Sequence, residues 1–179
     1  MKHHILVLGA PGSGTTTLGK ALSKKLGYGH LDTDDFYWEE SDPPFTKIRS
    51  LNECQSLMKK ALEIHNSWII SGSMVGWGDV FIAEIDLVIF LWLPETLRLQ
   101  RIYQREKTQN GSRIEIGGDM HDKYVKFIEW TSQYDAGNIN IKSKALHEWW
   151  IASFSCQVLR LEGSYDLRES IDLALSAIE

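Results

Sequence analysis

Apolar residues recur along this chain in two rhythms, and their alternation sets out an architecture. His4-Ile5-Leu6-Val7-Leu8 is an apolar run of strand length that stops at Gly9. From Thr15 to Leu26 the spacing changes, and Leu18, Ala21, Leu22 and Leu26 fall on one helical face. Tyr28 to Asp32 reads as a second short strand, Trp68-Ile69-Ile70-Ser71 as a third, Asp86 to Leu93 as a fourth and Gln157 to Leu161 as a fifth. Ser50 with Glu53 spells a capping box ahead of Leu51, Cys54, Leu57, Met58, Ala61 and Leu62 at helical spacing. Pro94 suits the first turn of a further helix, and Ser164 is a candidate cap for a last one carrying Leu167, Ile171, Leu175 and Ile178. Strands that alternate with helices imply a parallel sheet covered on both faces. The expected fold class is α/β, a three-layer, doubly wound, five-stranded parallel sheet.

Two stretches break the alternation. Thr33 to Ser50 mixes acidic and aromatic residues with two prolines, and Thr108 to Met120 holds three glycines and an arginine between two helices. Both follow the carboxyl ends of strands or lie just beyond, where ligand-covering segments sit in α/β sheets.

Composition narrows the classes of function. With 179 residues, no internal repeat and no low-complexity linker, the chain suits one α/β domain. Hydrophobic residues make up 43% and there are seven tryptophans, enough for a packed core. A net charge of −5 gives no general electrostatic grip on nucleic acid or an anionic membrane, so any anion must be held locally. No run is long enough to span a bilayer, and Met1 to Ala10 lacks a secretory pattern, so the expected location is the cytoplasm. Cys54, on a core-facing helical position, and Cys156, expected to begin a strand, read as reduced thiols. No histidines stand at zinc-ligand spacing.

The chemistry announces itself between the first strand and the first helix. Gly9-Ala10-Pro11-Gly12-Ser13-Gly14-Thr15-Thr16-Thr17 matches the phosphate-binding pattern G-x-x-x-x-G-K-[ST] except at the lysine, where Thr15 stands. Glycines let backbone N–H groups turn toward an anion, and the following helix adds the positive end of its dipole. Those donors survive the loss of a lysine side chain. Thr16 stands where a hydroxyl meets magnesium, and Thr17 is expected to face the same phosphates.

Other residues could complete a reaction. Asp32 and Asp34 alternate along what reads as an extended segment and would project to one side, one to hold magnesium and the other to accept a proton from an attacking hydroxyl. This expectation places the second strand beside the first. Arg98, Arg101 and Arg105 share a helical face and could clamp phosphoryl oxygens, with Arg113 following in the glycine-containing stretch. Arg105 and Arg113 are the favoured substitutes for the missing lysine; Lys20 would have to reach across a turn of helix. Phe36, Tyr37, Trp38 and Trp77 are candidates for stacking on a ligand, Asp79 is a lesser candidate for acceptor binding, and Asp119 for a helix cap.

The phosphate loop, the Asp32-Thr33-Asp34 segment, the arginine-bearing helix after Pro94 and the Leu159-Arg160-Leu161-Glu162-Gly163-Ser164 strand end together resemble P-loop small-molecule kinases of the adenylate kinase and shikimate kinase group. The resemblance implies the P-loop nucleoside triphosphate hydrolase fold in one domain over residues 1–179, with an acceptor-binding insert at 33–66 and a lid at 106–135. It further implies ATP phosphates on Gly9 to Thr17, Mg2+ at Thr16 and Asp32, the adenine edge at Gly163-Ser164, Asp34 near a small-molecule acceptor, and Arg105 and Arg113 in the lid. Two departures stand out. Thr15 replaces the lysine, and the third strand ends Ile70-Ser71-Gly72-Ser73 where nucleotide monophosphate kinases tend to carry an aspartate before glycine. The acid pair looks like that of shikimate kinases, while the aromatic residues with Lys47 and Arg49 would also suit a nucleotide acceptor. A different class remains in view: a nucleotide-binding regulator whose threonine-substituted loop grips phosphate without transferring it.

Overall fold

The computed structural model describes residues 1 and 3–179. Five parallel strands form one sheet: β1 (His4–Gly9), β2 (Gly29–Asp32), β3 (Trp68–Ser71), β4 (Leu87–Trp92) and β5 (Gln157–Glu162). Their order is β2-β3-β1-β4-β5. The strand expected beside β1 is therefore displaced by β3, whose Trp68, Ile69, Ile70 and Ser71 register against His4, Ile5, Leu6 and Val7. The uninterrupted apolar runs of β1, β3 and β4 are what strands buried on both faces require.

Two apolar layers follow from the alternation of side chains along the strands. Ile5 and Val7 of β1 and Ile89 of β4 pack against Leu18 and Leu22 of α1 (Thr15–Leu26) and Ala174 and Ile178 of α7 (Leu167–Ile178). Leu6 and Leu8, with Val88 and Phe90, face the opposite layer of Cys54 and Met58 from α3 (Leu51–Leu62) and Trp150 and Ile151 from α6 (Lys144–Ile151). The remaining helices are α2 (Thr33–Tyr37), α4 (Glu95–Asn110) and α5 (His121–Ser132), with 3₁₀ turns at Asp79–Glu84 and Gly111–Ile114.

Several local expectations change. The segment after β2 is helical, because the Asp32 carboxylate accepts the Asp34 N–H at 3.1 Å and caps α2. Ser164 is not the cap of α7; Asp166 is, in a reciprocal box with Glu169. Pro94 occupies the N-cap of α4 rather than its first turn, Asp119 does not cap α5, and β5 begins one residue after Cys156. The Ser50–Glu53 capping box forms as expected. Among the described residues no helix is long and apolar enough to cross a membrane.

Candidate active site

All five strands end on one side of the sheet around a single cavity of about 1520 Å³, lined there by Gly9, Asp32, Gly72, Trp92 and Gly163. The volume exceeds the roughly 300–1,000 Å³ of a site for one small ligand, so the cavity has room for two.

The phosphate loop forms one wall. Gly14, at φ 100°, is the N-cap of α1 and no side chain caps that helix, so its first-turn N–H groups are left without a side-chain acceptor. The glycines do more than free the backbone. A Cβ on Gly9 would stand 2.6 Å from the Leu91 carbonyl oxygen, and one on Gly12, at φ 80°, would stand 2.6 Å from that of Arg98. Gly12 thus lets α4 lie directly against the loop. Ser13 Oγ is buried without a hydrogen-bond partner, an orphan suited to a phosphate oxygen. These features fit a polyphosphate.

Magnesium is tested by the neighbouring oxygens. Thr16 Oγ1 donates to Asp32 Oδ2 at 2.8 Å, so α1 and the end of β2 meet although β3 separates β2 from β1. A hydroxyl and a carboxylate are the hard oxygen ligands that magnesium takes alongside substrate phosphate and water. The His30 ring pairs with Ser71 Oγ at 2.9 Å, and burial holds its pKa down against the pull of Asp32.

The far wall carries the charged groups. Asp34 lines the cavity, and its pKa is raised, first by desolvation and then by the Asp32 carboxylate, with Lys142 and Arg105 opposing. Lys142 is held in protein surroundings that push its own pKa down while Asp34 pulls it up. It comes from the link between α5 and α6, more than a hundred residues from Asp34. The sequence carried no motif pointing to it.

The four candidate arginines have separate fates. Arg98 is fully buried, bonding Asp135 at 2.7 Å, the Leu93 carbonyl at 3.0 Å and the Thr131 carbonyl at 3.4 Å, so it is a strut and not a clamp. Arg101 lines the cavity without an ion-pair partner among the described residues, and its Nη1 lies 3.7 Å from where a Gly14 Cβ would be. Arg105 lines the cavity and pairs with Glu106 at 2.8 Å. Arg113 does not line it; its guanidinium bridges Asp119 at 2.7 Å and Asp42 at 2.8 Å, joining the 33–66 and 106–135 segments. Asp119 is thus occupied by Arg113.

Aromatic candidates also divide. Tyr37, Trp38 and Trp77 line the cavity together with Phe45, Phe127 and Trp130, which sequence reasoning did not single out as a wall. Phe36 packs against the core instead. Asp79 faces away, accepting the Trp150 indole N–H at 2.6 Å, and Arg49 spends its guanidinium on the carbonyls of Asp35, Phe36 and Trp38. Gly163 lines the cavity beside Tyr165 and Leu167.

A phosphate loop at the carboxyl edge of such a sheet defines a P-loop protein, and the comparisons agree. The family model AAA_18, an AAA domain, matches residues 5–122, and the chain belongs to this P-loop family. It is 44% identical to the uncharacterized protein YqaC of Bacillus subtilis (strain 168) over 98% of this chain and 97% of that one. It is 32% identical to shikimate kinase 2 of Sodalis glossinidius (strain morsitans), over 44% of this chain and 45% of the relative. Among solved structures, a gluconokinase from Sinorhizobium meliloti 1021 superposes with a TM-score of 0.59 at 13% identity, covering 98% of this chain and 91% of that one. The fold is that of P-loop small-molecule kinases.

Proposed function

We propose that this protein is an ATP-dependent phosphotransferase that moves the terminal phosphate of ATP to the hydroxyl of a small-molecule acceptor, with Mg2+ as cofactor. The observation that carries the reading is the contact of Thr16 with Asp32, which joins the phosphate loop to the acid segment inside one cavity. Gly9, Pro11, Gly12, Ser13, Gly14, Thr15, Thr16 and Thr17 would hold the phosphates, Gly163 the adenine edge, and Thr16 with Asp32 the metal. Bound magnesium supplies positive charge over the phosphate oxygens.

Asp34 is the proton acceptor of this reading. As the acceptor oxygen bonds to the transferred phosphorus and the bond to the ADP oxygen breaks, Asp34 takes the hydroxyl proton. A carboxylate raised from its ordinary value is a stronger base than an unperturbed one, and raising is the direction found here. Arg101, whose Nη1 lies 3.7 Å from where a Gly14 Cβ would be, would meet the charge that a P-loop lysine otherwise meets, with Arg105 also lining the cavity. Residues 106–135 act as the lid, and Arg113 serves there as its tether to the 33–66 segment rather than at the phosphate. Enclosure of this kind excludes water that would otherwise take the phosphoryl group.

The test is transfer from radiolabelled ATP to a panel of shikimate, gluconate, sugars, nucleosides and nucleoside monophosphates. A labelled product from any of them retains the kinase. Tight ATP binding with no product across the panel favours the regulator, which the missing lysine supports. No binding of any nucleoside triphosphate with divalent metal defeats both.

A further inference from the structure

Behind the acceptor half of the cavity lies a buried polar chain that the reaction above does not use. His147, on α6, is fully buried. Its Nδ1 lies 2.8 Å from the Tyr134 hydroxyl and its Nε2 lies 3.0 Å from Ser73 Oγ. Tyr134 is buried as well, stacked under the Arg98 guanidinium at 5.1 Å, whereas Ser73, just past the end of β3, lines the cavity. The two contacts leave one question: which ring nitrogen carries the proton.

The surroundings answer it. The Tyr134 hydroxyl has no partner among the described residues other than Nδ1. Were Nδ1 protonated, the phenol could only accept, and its own hydrogen would be stranded in the core. With the proton on Nε2, Tyr134 donates to Nδ1, His147 donates to Ser73, and the one hydrogen left over is that of Ser73, which faces the cavity. Burial and the Lys142 charge push the His147 pKa down to about 3, so the ring is neutral and has one proton to place. The phenol of Tyr134 is held protonated by its burial.

We propose that Ser73 is an acceptor-binding residue whose hydroxyl is fixed as a hydrogen-bond donor by His147 in its Nε2–H form, with Tyr134 setting that form. The proposal rests on the kinase reading and names the chemistry the acceptor must bring. Asp34, Ser73 and Lys142 all line the cavity, and the Lys142 charge acts on both Asp34 and His147. A hydroxyl donor and a lysine amino group lining one cavity select an anionic oxygen, a carboxylate or phosphate, on a molecule whose hydroxyl reaches Asp34. His147 and Tyr134 touch no ligand; they are positioning residues.

Two measurements decide this. Ring nitrogen NMR of uniformly labelled protein, with the His147 signals assigned by their loss in His147→Gln, should show the Nε2–H form from pH 6 to 8. Tyr134→Phe, which removes the donor to Nδ1, should populate both forms. Calorimetry of the ATP-analogue complex with gluconate, shikimate and CMP, each beside its neutral counterpart glucose, methyl shikimate and cytidine, should find binding of at least one anion over its counterpart. Ser73→Ala should weaken that binding about tenfold, and Ser73→Thr should restore it. His147→Gln, whose amide can still donate toward Ser73, should lose less than His147→Leu.

The Nδ1–H form in the wild type, or undiminished anion binding by Ser73→Ala, overturns the proposal and leaves the kinase intact. Binding or phosphorylation of neutral counterparts alone overturns the assigned acceptor chemistry, again with the kinase standing. No binding of any anion also overturns it, and the labelled-ATP panel then reports separately whether a kinase remains.

Discussion

The two ends of the cavity are built by opposite means. At the phosphate end, one stretch of nine consecutive residues, Gly9 to Thr17, presents main-chain N–H groups from every position but Pro11, and Gly9 and Gly12 are fixed by how closely β4 and α4 approach. At the acceptor end, Asp34, Ser73, Lys142 and the residues behind them come from four separate segments and act through side chains. A main-chain site tolerates loss of one side chain, such as a lysine at position 15. A side-chain site does not, because each group has a distinct charge or donor role. The most damaging substitution should therefore lie at the acceptor end: Asp34→Asn is expected to lower kcat by about 10²–10⁴-fold with ATP affinity unchanged. Equal turnover in the two proteins would remove the proton acceptor from the mechanism. On that reading the activity of the wild type should also fall with acid along a limb set above the ordinary carboxylate range, since a base at Asp34 acts ionised and its pKa is raised. That limb should vanish in Asp34→Asn.

The ends are joined by a strut. Arg98, on the helix that Gly12 touches, bonds Asp135 just beyond α5, and Asp135 also accepts the Trp92 indole N–H at 2.7 Å. Asp135→Ala leaves a guanidinium buried with no counter-charge and should cost about 3–5 kcal/mol of unfolding free energy in denaturant titrations. Arg98→Met with Asp135→Leu should recover much of that loss. If the single variant were as stable as the wild type, the two ends would not be coupled through this pair.

The same contrast explains what could be read from the sequence. The strand runs, the loop and the Ser50 box are local patterns whose physics is complete within a few residues, and they form where expected. The placing of Asp32 beside Thr16 was legible in outcome but not in cause: β3 intervenes between β1 and β2, and Asp32 turns α2 instead of continuing a strand. Equal helical spacing could not separate Arg98 from Arg101, because the difference lies in Asp135, a partner 37 residues away. Lys142 and His147 had no signature at all. A lysine in a loop and a histidine on an apolar face acquire meaning only from what folds against them.

Arg101 provides the next break in the comparison. If its guanidinium supplies charge to the phosphate end, Arg101→Met should lower kcat/KM by about 10–100-fold, the loss of one charge-assisted contact. Thr15→Lys should then rescue that variant while adding little to the wild type, since the position would already be served. No loss in Arg101→Met, with Thr15→Lys changing neither protein, would show that the loop works without a substitute cation.

The last effect concerns stability rather than turnover, and it isolates the acceptor end. His147 has a pKa of about 3 in the folded protein, below its ordinary value of 6.5. A depressed folded value means that the unfolded chain binds the proton first as pH falls. Its contribution to stability is whole above about pH 6.5, then declines by about 1.4 kcal/mol per pH unit toward pH 3, where the folded ring itself protonates. His147→Gln has no such group, so its stability should be lower at neutral pH and should fall less steeply between pH 6.5 and 4. The difference between the two urea-unfolding profiles measures this one site, because carboxylates that titrate in the same range are common to both proteins. Parallel profiles would mean that the ring accepts a proton in the folded state at ordinary pH, and the neutral chain from Tyr134 to Ser73 would not exist.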